Sequence, residues 1–219
     1  MTYVAERFII WAKCFFAIRS LPPQSSPSEL VDFSMSQPLA PLQIRSELLF
    51  WATEIAGLRP RNAMEIGTGN GGTLFLLCRL AHSHARIISL DNDRGRLGGA
   101  RKSIYYSFVR DHQRLHVIHG DSHNIRTHSR IARKLGLERL DFLFIDGDHS
   151  YEGVKRDFEM YSPLVNPGGV VAFHDIVEHP PEAQCHVKEF WDEIKPRYRY
   201  KEFIEDPVQN WADIGLLYV

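Results

Sequence analysis

The segment that decides the fold runs from Leu140 to Ile176 and reads LDFLFIDGDHSYEGVKRDFEMYSPLVNPGGVVAFHDI. Two apolar runs of strand length, Phe142 to Ile145 and Val170 to Phe173, each end abruptly in polar groups. The first delivers Asp146, Asp148 and His149, the second His174 and Asp175. Between them lies a helix-like stretch closed by Asn166-Pro167-Gly168-Gly169. In an open parallel α/β sheet the carboxyl ends of adjacent strands face one crevice, and ligands bind there. The spacing therefore brings these polar residues together. Carboxylates and an imidazole at one crevice can hold a metal ion or move a proton.

The same alternation extends upstream. Ala63 to Ile66, Arg86 to Leu90 and Leu115 to Ile118 read as three further strands. Helical patterns fall at Gln43 to Leu58, Thr73 to Ala81, Arg94 to Val109 and Asn124 to Leu135. Downstream, Ala183 to Ile194 reads as a helix, and Tyr198 to Ile204 with Ile214 to Val219 as an antiparallel pair. Strands alternating with helices predict a doubly wound α/β sheet. Ser20 to Pro41, rich in Pro and Ser, reads as a linker or loop. Ahead of it, Phe8 to Ile18 is largely apolar but is broken by Lys13, and it is shorter than the roughly 20 residues of a membrane span. It predicts an arm helix that packs on the domain or pairs two copies, with a peripheral membrane-facing helix or a disordered tail as the alternatives, and not an integral membrane segment.

Bulk properties narrow the classes. The chain has 219 residues, 44% hydrophobic and 24% charged, which fits one large globular domain with an arm. A net charge of -1 supplies no basic field, which argues against nucleic-acid binding. Cys14, Cys78 and Cys185 have neither disulfide nor zinc spacing, so a cytoplasmic setting is expected. His112, His116, His119, His123 and His128 likewise lack zinc spacing and read as a polar rim.

Gly67, Gly69 and Gly72 form a glycine turn between the first strand and its helix. Such a turn lets a ligand approach the backbone closely, and Asp91 at the next strand end can receive ribose hydroxyls. Two adenosine ligands compete. A dinucleotide such as NAD would set a pyrophosphate on the turn, whereas S-adenosylmethionine carries a cationic methionine end. Glu65 favours the second, because its carboxylate repels a pyrophosphate and suits an amino group. Asp121 and Ser122, after the third strand, can bracket an adenine.

Glu65-Ile66-Gly67-Thr68-Gly69, Asp91, Gly120-Asp121-Ser122 and Pro167-Gly168-Gly169 together resemble the class I S-adenosylmethionine-dependent methyltransferases. The resemblance covers about Gln43 to Val219. It implies a Rossmann-like, seven-stranded sheet of order 3-2-1-4-5-7-6 with the last strand antiparallel. Residues 1–41 would then be arm and linker, and 42–219 the methyltransferase domain. The stretch Phe144 to Gly153 is similar to the branch that holds cephalosporin hydroxylase-like proteins and metal-dependent sugar O-methyltransferases. That branch implies O-methylation of a hydroxylated small molecule with cofactor residues Glu65, Gly67, Thr68, Gly69, Asp91, Asp121 and Ser122. It also implies a base at His149 and a divalent cation (magnesium, manganese or iron) at Asp146, His174 and Asp175. His174 departs from the oxygen ligands usual in that branch, so the metal differs, or His174 stands behind the ligands, or no metal binds. The rival readings are an NAD-linked oxidoreductase and a metal-dependent hydroxylase on the same fold.

Overall fold

The computed structural model describes residues 2–36, 38–92, 104–206 and 208–219, and for residues 2–9 the backbone alone. The expected helix from Arg94 to Val109 lies mostly outside these residues. Seven strands form one sheet in the order β3-β2-β1-β4-β5-β7-β6. They are β1 (Asn62–Ile66), β2 (Arg86–Asp91), β3 (Arg114–His119), β4 (Leu140–Ile145), β5 (Val165–His174), β6 (Arg199–Phe203) and β7 (Ile214–Tyr218). Strands β1 to β5 pair in parallel, and β7 runs antiparallel to both β5 and β6. The expected topology holds.

Helices α1 (Thr2–Ser20), α2 (Pro27–Ser34), α3 (Arg45–Leu58) and α4 (Gly72–Leu80) pack on one face. Helices α5 (Ile125–Leu135), α6 (Tyr151–Tyr161) and α7 (Val187–Ile194) cover the other. A strand sends successive side chains to opposite faces. In β4, Phe142 and Phe144 accordingly join the first layer, with Leu143 and Ile145 in the second. With both faces covered, the strands are apolar throughout rather than alternating.

This alternation sets where the polar groups go. Met64 and Ile66 belong to the α5–α7 layer, so Glu65 turns toward α4. Ile145 and Phe173 also belong to that layer, so Asp146 and His174 turn toward α3. Ladder bonds carry on past the strand ends: Gly67 N donates to Leu90 O at 2.9 Å, and Asp146 N to Ile66 O at 2.9 Å.

Three boundaries differ from the sequence reading. The Ser20–Pro41 stretch is not all loop, because α2 forms within it. Ser26 caps α2 by accepting from Glu29 N, while Glu29 Oε2 accepts from Ser26 N at 2.8 Å. This reciprocal cap satisfies two donors that a helix start otherwise leaves open. Helix α7 begins at Val187 rather than Ala183, because a 3₁₀ turn occupies Pro181–Ala183. Strand β5 begins at Val165, ahead of the glycines, with a register shift against β4 between Leu140 and Phe142.

The arm helix is longer than its apolar core predicts. Its second half packs on the domain, with Cys14 and Ile18 buried and Arg79 Nη2 donating to Ile18 O at 3.0 Å. Ile10 and Phe16 stay exposed on it. Among the described residues, no helix is long and apolar enough to cross a membrane.

Candidate functional site

At the carboxyl edge of β1 and β2, the glycine turn is built on close backbone contact. Gly67 has φ +89°, and a Cβ there would sit 1.8 Å from the Asp146 carbonyl oxygen. The turn amides are directed into a carboxylate: Thr68 N and Gly69 N donate to Asp91 Oδ2 at 2.8 and 2.9 Å. The Thr68 and Ser89 hydroxyls meet at 2.6 Å. Glu65 is fully buried below the turn, and neither carboxylate oxygen has a hydrogen bond of acceptable geometry. Burial pushes its carboxyl up to about 8; the nearby Thr68 and Thr73 hydroxyls only moderate the shift, and the Asp91 and Asp146 charges add to it.

The second cluster lies one strand further along. His149 Nδ1 is 2.9 Å from Asp175 Oδ2, and its Nε2 is 3.4 Å from Asp146 Oδ1. His174 Nδ1 is 3.3 Å from Asp146 Oδ1 and 3.1 Å from Asp175 Oδ1, yet it makes a proper hydrogen bond to neither. The other ring nitrogen of His174 faces Glu47 Oε1 at 3.3 Å. The His174 side chain is 4% exposed and that of His149 41%. His149 is therefore open to a molecule arriving from solvent, whereas His174 is nearly enclosed.

The charges are interlocked. Burial disfavours the His149 cation, but hydrogen bonds to Asp146 and Asp175 outweigh it and push the group up to about 12. Burial also opposes the charge on His174, and the Asp146 carboxylate still raises it well above the ordinary range. Burial would raise Asp146 and Asp175, but their histidine neighbours hold both below the ordinary carboxylate range. Asp146, His174 and Asp175 each present a ligand atom within 4.8 Å of the others.

Strand β7 completes the cluster from the opposite direction. Because it is antiparallel, its first residues lie beside the end of β5, with His174 opposite Ile214. Ala212 N donates to Asp175 Oδ1 at 3.2 Å, and Asp213 N donates to Glu47 Oε2. Asp175, Ala212 and Asp213 all have positive φ, at 63°, 74° and 70°. For residues with a Cβ such backbone costs of the order of 1–3 kcal/mol each and concentrates at functional sites. From α3, Glu47 Oε1 also accepts from Ile44 N at 2.6 Å, and Gln43 Nε2 donates to Asp146 Oδ2 at 2.8 Å.

The structure thus joins Glu65, Gly67, Thr68, Gly69 and Asp91 in one group, and Asp146, His149, His174 and Asp175 in its neighbour. Asp121 and Ser122 follow the end of β3, where Gly120 N donates to Asp91 O of the first group at 3.0 Å. Asp121 Oδ1 accepts from His123 N at 2.8 Å, and Ser122 O accepts from Tyr161 of α6 at 2.8 Å. Four residues of the second cluster escape the sequence reading: Glu47, His179, Cys185 and Asp213. His179 Nε2 is 3.1 Å from Asp175 Oδ1. For Glu47 a signal exists, since an acid three residues after Ile44 and four before Trp51 falls on the buried stripe of α3.

Residues 64–176, just over half of the chain, match the family described as methyltransferase domain. The chain belongs to this family. It is 30% identical over 156 residues to the uncharacterized protein y4gI of Sinorhizobium fredii; the match covers 64% of the chain and spans only 16% of that protein. Among solved structures it is similar to an O-methyltransferase of Bacillus cereus in complex with SAH, at 20% identity and TM-score 0.60 over 95% of this chain and 97% of the other. MycE from the mycinamycin biosynthetic pathway, in complex with Mg, SAH and mycinamycin VI, is similar at 18% identity and TM-score 0.61 over 89% of this chain and 54% of MycE. At these identities the structural likeness is one of fold. Family membership supports the methyltransferase reading and gives no support to the oxidoreductase or hydroxylase.

Proposed function

We propose that this methyltransferase moves the methyl group of S-adenosylmethionine to a hydroxyl oxygen of a small molecule, with a divalent cation assisting. The observation that carries the reading is His149, open to solvent on one side and held between Asp146 and Asp175 on the other. A hydroxylated acceptor such as a sugar, as the resemblance to that branch implies, fits a solvent-facing base.

The residues fit a cationic cofactor. Glu65 is a buried carboxylate without a hydrogen bond, and the ammonium of a methionine moiety would supply its missing partner. Asp91 would receive the ribose, and the Asp121–Ser122 turn would flank the adenine. The bound sulfonium supplies an electrophilic methyl group.

The residues also fit a cation. Asp146 and Asp175 offer carboxylate oxygens, and His174 aims an unbonded, buried Nδ1 between them. Its other nitrogen rests on Glu47, as metal-ligating histidines rest on a carboxylate behind them. A mixed oxygen and nitrogen set suits manganese or iron as well as magnesium. A cation held by Asp146, His174 and Asp175 would supply a Lewis acid that lowers the pKa of the acceptor hydroxyl, and its charge would offset the carboxylates that otherwise keep His149 protonated. His149 then receives the hydroxyl proton while Asp175 fixes the ring through Nδ1. Gln43 orients Asp146, and Ala212 N with His179 orients Asp175.

Residues 42–219 form the catalytic unit in this reading and 1–41 the arm and linker, of which α1 and α2 pack on the α3–α4 face. The exposed Ile10 and Phe16 of α1 are where two copies would pair. The decisive experiment incubates the protein with S-adenosylmethionine, manganese and a panel of hydroxylated metabolites and reads products by mass for a gain of one methylene. Calorimetry with S-adenosylhomocysteine tests the cofactor separately. Failure to bind it at high micromolar concentration sinks the reading.

A further inference from the structure

Beside the oxygen-rich cluster lies a second donor set, in which His149 and Asp175 are joined by Cys185, a thiol that the methyl-transfer chemistry does not use. His149, Asp175 and Cys185 each present one ligand atom, and the three lie within 4.8 Å of one another. They come from two segments: His149 from the β4–α6 loop, and Asp175 and Cys185 from the two ends of the β5–α7 connection. The loop bearing Cys185 is fastened to the first segment, since His186 N donates to His149 O at 2.7 Å. Cys185 is partly accessible and unpaired.

Asp175 divides between the two sets. Its Oδ1 faces His174 at 3.1 Å, His179 at 3.1 Å and Ala212 N at 3.2 Å. Its Oδ2 faces His149 at 2.9 Å. One carboxylate thus presents an oxygen to each side, and His179 steadies it from behind, as partners behind metal ligands do. The donor chemistry differs across the boundary. Asp146, His174 and Asp175 contain no sulfur and suit hard or borderline cations. Imidazole, carboxylate and thiolate are the donors that hold tetrahedral zinc, with Zn–S near 2.3 Å and Zn–N near 2.0–2.1 Å, leaving one position for water.

We propose that His149, Asp175 and Cys185 form a zinc-class metal site next to the oxygen-rich one, and that zinc bound there occupies the base and stops methyl transfer. Binding releases the thiol proton and any proton on His149 to solvent, so zinc uptake is accompanied by acid release. The site stands on the geometry of the three side chains; only its inhibitory consequence rests on the proposed function.

The test begins with cobalt(II), whose thiolate complexes show a near-ultraviolet charge-transfer band. Wild-type protein titrated with cobalt should develop that band; Cys185→Ser should not, and Asp146→Asn should keep it. Competition against a chromogenic chelator should show zinc affinity falling about tenfold or more in Cys185→Ser. S-adenosylhomocysteine affinity should not change in that variant. In methyl-transfer assays run with manganese, the zinc concentration for half inhibition should rise by the same factor. Absence of the thiolate band in the wild type, or equal zinc affinity in Cys185→Ser, overturns the site. Tight zinc binding with full turnover overturns the inhibition alone. The cobalt and chelator readings need no substrate, so a failure of the methyltransferase reading would appear instead as absent S-adenosylhomocysteine binding.

Discussion

Gly67 and Asp146 meet backbone to backbone: the space for a Cβ on Gly67 is already filled by the Asp146 carbonyl, 1.8 Å away. The glycine turn and the first candidate metal ligand are therefore one mechanical unit. Gly67→Ala must distort it and also place an alanine at φ +89°. The strained φ alone costs of the order of 1–3 kcal/mol, and the overlap adds to it. Denaturant unfolding should show that loss, and S-adenosylhomocysteine affinity should drop with it. An unchanged unfolding midpoint would refute the contact.

Glu65 gives a pH signature with a definite sign. Its carboxyl stands near 4.5 when unfolded and about 8 when buried. Between those values the folded chain binds the proton and the unfolded chain does not, so stability falls as pH rises through this window. The contribution is fully present below about pH 4.5 and lost above about pH 8. Glu65→Gln removes the ionisation. The apo variant should gain on the wild type in melting temperature as pH rises from 5 to 8.5. With cofactor present the order should reverse, because only the carboxylate can receive the ammonium. Parallel melting curves for the two proteins across that range would count against the buried carboxylate.

His149→Ala should lower turnover by about 10²–10⁴, the usual contribution of a general base. Cofactor affinity should stay intact, because His149 does not touch the glycine turn. Chelation by EDTA should give a comparable loss that manganese or magnesium reverses in the wild type and not in the variant. Turnover that survives both treatments would leave the base and the cation without a role.

Glu47 is buried, and its oxygens serve Ile44 N, His174 and Asp213 N. Glu47→Ala removes one partner of a buried ion pair, which costs about 3–5 kcal/mol. It also strips the support behind His174, for which a 10–100-fold loss of manganese affinity is expected. Glu47→Gln, which keeps an acceptor for one amide, should recover stability more than metal affinity. Equal recovery of both would mean that Glu47 acts through packing alone.

The strand-end chemistry was legible because each apolar run stops on its polar residue. Parallel topology alone places Asp146, His149, His174 and Asp175 in one crevice. It does not place Glu47, Cys185, His179 and Asp213, since their neighbours are distant in sequence or set by loops without a period. Glu47 lies 127 residues from His174, and Asp213 lies 166 from Glu47. Helix α2 was hidden for a different reason. Proline and serine composition signals a loop, and only the Ser26–Glu29 spacing betrays the cap.

Strand β7 slots between β5 and β6 although it follows both along the chain. The amides of Ala212 and Asp213 arrive with it, and until then Asp175 and Glu47 lack those donors. During synthesis at about 5–20 residues per second, the ribosome delivers both carboxylates before the segment that fastens them. Closure of the sheet and completion of this cluster are thus a single maturation event, and a nascent chain without β7 holds both carboxylates unfastened.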